Sequence, residues 1–91
     1  MPSAIGGSYT HANANGASTI NAQILVGVQI NTKGAAANIL TLQDGTSGPT
    51  IAVIDTTIGP VWLHYGAQLK NGAVVATLSA GTAADVTIIT N

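Results

Sequence analysis

Between residues 19 and 31 apolar and polar residues alternate: Ile20, Ala22, Ile24, Val26, Val28 and Ile30 share one parity, and Thr19, Asn21, Gln23, Gln29 and Asn31 the other. Successive side chains of a strand point to opposite faces, so the pattern predicts a half-buried β-strand. Leu25 and Gly27 interrupt the polar parity, which predicts partial cover or a local bulge at that point.

Further strands follow at short intervals, separated by residues that favour turns. Thr32, Lys33 and Gly34 precede a strand over residues 38–43, which ends at Asp44-Gly45. The stretch Asp44-Gly45-Thr46-Ser47-Gly48-Pro49 reads as a connection, because Pro49 has no N–H for a central ladder. Residues 50–54 read as a strand, Gly59-Pro60 as a break, and residues 61–65 as a strand in which Val61, Leu63 and Tyr65 alternate with Trp62 and His64. Lys70-Asn71-Gly72 predicts a hairpin, since Asn-Gly tolerates the positive φ of a type I′ turn; residues 66–69 would then pair with residues 73–78. Gly81 marks the last turn, and residues 86–90 form a terminal strand. No helical period is present, and the Ala35-Ala36-Ala37 run is too short to nucleate a helix.

Residues 1–18 read differently. Gly, Ser, Ala and Asn dominate, and Ile5 and Tyr9 are the bulky apolar anchors. Such a segment cannot bury enough surface to order itself, so it reads as an extended N-terminal arm that is either free or fixed by a partner, with Ile5 and Tyr9 as partner-binding anchors. The division predicted is an arm over 1–18 and a domain over 19–91. Short strands with regularly spaced turns are the pattern of a sandwich, so the fold class expected is all-β, an antiparallel β-sandwich, jelly-roll-like or Ig-like.

Composition narrows the function. Five of the 91 residues carry a formal charge, Lys33, Lys70, Asp44, Asp55 and Asp85, and there is no Phe. A lean core and a nearly neutral surface predict oligomerisation or docking onto a larger body. Two cations against three anions give no basic patch, which argues against nucleic acid as a partner. Cys is absent, which removes disulfides, thiolate metal sites and thiol nucleophiles. The first residues do not resemble a signal peptide, and no apolar run approaches the ~20 residues of a membrane helix, so no membrane partner is expected.

No catalytic, cofactor-binding or metal-binding residues are predicted, and the chain is not expected to be an enzyme. His11 and His64 lack chelating spacing, and His64 is expected to be a hydrogen-bonded structural residue. A Ser/His/Asp triad has no G-x-S-x-G elbow to support it, and the glycine pairs lack the Lys-Ser/Thr of a phosphate loop. Asp44 and Asp55 are expected to cap turns. Trp62 and Tyr65 differ in parity and so point to opposite faces: one enters the core, the other packs at a subunit contact, and packing is preferred to stacking on a carbohydrate.

The order Leu42-Gln43-Asp44-Gly45-Thr46-Ser47-Gly48, an apolar strand, Gly66-x-x-Leu69-Lys70-Asn71-Gly72 and Ala84-Asp85-Val86-Thr87-Ile88 resembles the small β-sandwich structural proteins of tailed-bacteriophage virions, including capsid decoration (cement) and head-associated proteins. The resemblance covers the last half of the chain. It implies a protein on the capsid surface of a virion that clamps the major capsid protein or another virion protein, often as a homotrimer, without a cofactor. A receptor- or glycan-binding module at a tail or head is the alternative, and a row of exposed aromatics beside acid or amide partners would favour it.

Overall fold

A computed structural model describes residues 7–91 and shows eight strands and no α-helix among them. In chain order these are β1 (Ser8–Ala12), β2 (Gly16–Asn21), β3 (Ile24–Thr32), β4 (Ile39–Asp44), β5 (Thr50–Asp55), β6 (Val61–Gln68), β7 (Ala73–Ser79) and β8 (Asp85–Thr90). A single 3₁₀ turn, Thr56–Ile58, follows β5 and precedes a cis Gly59–Pro60 bond.

Two four-stranded antiparallel sheets result, ordered β1-β8-β3-β6 (sheet A) and β2-β7-β4-β5 (sheet B). The pairs β1·β8, β2·β7, β3·β6 and β4·β5 are those of one long antiparallel ribbon whose tip is the β4–β5 connection. Winding that ribbon into a sandwich brings β8 beside β3 and β7 beside β4. This is the eight-stranded jelly roll, one of the two sandwich topologies the strand pattern allowed.

The core lies between the sheets. Leu25, Val28, Ile30, Val86 and Ile88 of sheet A meet Leu40, Leu42, Val74, Ala76 and Leu78 of sheet B, all nearly or fully buried. Each buried Val, Leu or Ile contributes ~1.5–3 kcal/mol relative to exposure, so aliphatic side chains alone supply the main driving force.

The bulge expected at Leu25 and Gly27 is present: the register of β3 shifts there against both β6 and β8. Its effect is to move Leu25 into the core and leave Ile24 38% exposed. The alternating run of residues 19–31 is nevertheless two strands. β2 belongs to sheet B and β3 to sheet A, and the chain crosses at Ala22-Gln23, where Ala22 N–H donates to Gly72 O and Gln23 N–H to Asn91 O. Ile20 of β2 and Ala22 pack against the core, and past the crossing the core side passes to Leu25 and, beyond the bulge, to Val28 and Ile30.

The predicted pairing of residues 66–69 with 73–78 is not formed. β6 pairs with β3, while β7 lies between β2 and β4 in the other sheet. Lys70-Asn71-Gly72 is a turn, closed by Gly72 N–H to Leu69 O, but only Gly72 has positive φ, at 75°. A type I′ hairpin needs it at both central positions, so this turn carries the chain between sheets. The sequence-local hairpin is β4–β5, whose tip is closed by Asp44 N–H to Pro49 O and Gly48 N–H to Gly45 O.

The arm boundary at residue 18 also differs. Residues 1–6, with Ile5, lie outside the described residues. Residues 8–12 form β1, an edge strand on β8, and residues 16–18 begin β2. Apart from Tyr9 and His11 their side chains are small, which suits an edge, where backbone pairing holds the strand and little apolar burial is required.

Candidate functional site

The two outer faces of the sandwich differ in chemistry. In sheet B the register aligns Ala17, Thr77, Thr41 and Val53 in one outward row, giving a small, β-branched surface without rings. Sheet A presents His11, Thr87, Gln29 and Trp62 in one row across β1, β8, β3 and β6, and Tyr9, Ile89, Gly27 and His64 in the next. The chain has one Trp, two Tyr, two His and no Phe, and four of these five rings stand on the outer face of sheet A.

Gly27 makes the centre of this face. A Cβ at that position would lie 2.6 Å from Cη2 and 2.7 Å from Cζ2 of Trp62, so the indole occupies the space that any side chain at 27 would fill. Trp62 remains 43% exposed, and its ring centroid is 6.4 Å from that of His64 at a 51° tilt. Tyr9, at 76%, is the most exposed large apolar side chain among the described residues.

Beside the rings lies a polar cluster. Asp85 Oδ1 accepts from Asn31 Nδ2 at 3.0 Å and stands 2.6 Å from His11 Nε2, and Asn31 Nδ2 also donates to Thr87 Oγ1 at 2.9 Å. The Asn31 and His11 hydrogen bonds hold the Asp85 carboxyl below the usual carboxylate range. Asp55 is lowered as well, by the side chain and then the backbone N–H of Thr57, whose 3₁₀ turn it caps.

Both ends of the sandwich are tied by buried polar groups. At one end Asn38, fully buried, donates to Asn15 Oδ1, Ser79 O and Ala80 O, while its Oδ1 accepts from Thr56 Oγ1 and Ala84 N–H. One amide thereby links the β1–β2, β3–β4, β5–β6 and β7–β8 connections. At the other end the Asp44 carboxylate accepts from Lys70 N–H and Asn71 N–H, and Asn71 Nδ2 donates to Asp44 O. Asp44 thus caps a turn, as expected of it, but one distant in sequence.

Trp62 and Tyr65 do point to opposite faces, with Tyr65 packed against the core, where burial raises its phenol pKa. His64 is not the hydrogen-bonded structural residue expected: it is exposed beside Trp62. An open groove of about 290 Å³ follows the β1–β2 loop, lined by His11, Asn13, Asn15 and Ser18 among others. Among the described residues no three His, Asp or Glu side chains are grouped to hold a metal ion, and no helix is long and apolar enough to cross a membrane. Sequence reasoning passed over Asn31, Thr87 and Asn38. The first two have a readable signal in strand parity, whereas nothing in the sequence marks Asn38 as buried. No family model, curated protein or solved structure matches the chain.

Proposed function

We propose that this chain is a bacteriophage virion structural protein, a capsid decoration or cement protein that binds the major capsid protein shell and acts as a homo-oligomer, a trimer by preference. The observation that carries the reading is how sparse charge is on the surface. Of five charged side chains Asp44 is buried in a turn, which leaves four dispersed over the surface, Lys33, Lys70, Asp55 and Asp85. Exposed Val53 and Ile58, at 65% and 54%, flank the β5 edge. Such a surface docks through shape, main-chain hydrogen bonds and apolar burial, and many copies on a lattice make weak contacts additive. The jelly roll itself is shared by viral capsid and lectin domains and does not choose between them. The test is a density map of virions carrying the tagged chain. Extra density on the outer shell at the capsid lattice symmetry is expected; density confined to the tail, or absence from particles, overturns the reading.

A further inference from the structure

The outer face of sheet A carries rings, and no strand of sheet B does. Rings occur on it at four of the chain's five ring positions, and the one that is large and flat, Trp62, is seated where Gly27 has no side chain. A ring fixed against backbone loses little freedom when a ligand stacks on it. Along β3 the indole lies over Gly27, on one side of the row Trp62–Gln29–Thr87, and the Asn31–Asp85 pair lies on the other, with Thr87 two interstrand spacings of ~4.8 Å from β6. The second oxygen of Asp85 has no hydrogen bond among the described residues, and the cluster is exposed. No Lys or Arg lies in β1, β3, β6 or β8.

We infer that this face binds a neutral oligosaccharide of two or more pyranose units, one ring stacked on Trp62 and a neighbouring unit hydrogen-bonded through its hydroxyls by Asp85, Asn31 and Thr87. The ring faces of a sugar carry C–H groups that pack on an aromatic surface, and its hydroxyls need donors and acceptors held at fixed positions. Both are present on this one face. The Asp85 carboxylate in the cluster, with no Lys or Arg in these four strands, disfavours phosphorylated, sulfated or sialylated sugars. The inference stands apart from capsid docking, since it concerns the ring-bearing face and not the β5 edge.

Trp62 is the chain's sole tryptophan and reports directly on the site. The full chain is titrated with chitotetraose, maltotetraose, cellotetraose and mannotetraose, following tryptophan fluorescence and backbone amide shifts. At least one is expected to give a saturable response, with shifts confined to β1, β3, β6 and β8, and sialyllactose none. Trp62→Ala is expected to abolish the response, and Thr87→Val, which keeps shape and ring, to weaken it by about tenfold, the worth of one lost hydrogen bond. No saturable response to any of the four overturns the inference, as do shifts mapping to sheet B. A Trp62 signal that changes with protein concentration alone and is indifferent to sugar also overturns it, because it assigns the face to a second copy of the chain.

Discussion

At the scale of single residues, two side chains do more than their sequence neighbourhood suggests. Asn38 is a buried amide with both ends of its hydrogen-bonding capacity in use, and it holds four connections at one end of the sandwich. Asn38→Ala leaves the buried Ala84 N–H without its acceptor and removes the donor from the part-buried carbonyl bonds of Ser79 and Ala80, at ~1–3 kcal/mol for each group that finds no other partner. A loss of about 3 kcal/mol or more in urea unfolding is expected, large against the ~5–15 kcal/mol of a whole domain. Asp85 sets a pH dependence. Its folded pKa lies below its unfolded value, so its contribution is present above the unfolded pKa and is lost as pH falls through the folded one. Asn31→Ala should raise the Asp85 titration midpoint measured by carboxyl ¹³C NMR, because the Asn31 hydrogen bond is the largest single cause of its lowering.

At the scale of elements, the two turns exchange the roles the sequence suggests for them. Gly72 has φ of 75° with open space where a Cβ would sit, so Gly72→Val meets backbone strain alone, ~1–3 kcal/mol. At Gly48 a Cβ would overlap the carbonyl oxygen of Asp44 at the tip of the β4–β5 hairpin. Gly48→Val is therefore expected to lower the thermal midpoint more than Gly72→Val, the reverse of what a tight Asn-Gly hairpin beside a loose connection implies. The edge strand β1 gives a second check. A chain beginning at Asn13 loses the whole β1·β8 ladder and uncovers β8, whereas one beginning at Ser8 keeps it. The shorter chain should unfold at a clearly lower temperature by circular dichroism, which would not follow if residues 8–12 were an arm apart from the fold.

For the whole molecule the governing quantity is charge. With a net charge of −1 and no cluster of like sign, association has no long-range electrostatic term to screen. Self-association measured by sedimentation should change by less than about threefold between low and moderate salt, while mild urea should disperse it. A loss of tenfold or more over the same salt range would require charge pairs that the described residues do not present.

The sequence by itself determined the fold class and much of its local detail. Parity placed Trp62 and Tyr65 on opposite faces, turn formers bounded β4 and β5, and the Leu25–Gly27 interruption marked the bulge. These features are local: a side chain's face, a turn or a break depends on neighbours within a few residues. Tertiary structure alone decided which strands pair. Six of the seven connections between strands cross from one sheet to the other, so contacts form between residues far apart in the chain, and alternation looks the same on either side of a crossing such as Ala22-Gln23. The same holds for the candidate site. His11, Asn31, Trp62 and Asp85 come from four strands, and each taken singly is an ordinary strand residue. Only the jelly-roll order β1-β8-β3-β6 sets them side by side, because backbone hydrogen bonding fixes register across a sheet and the sequence does not carry that register within any one of its strands.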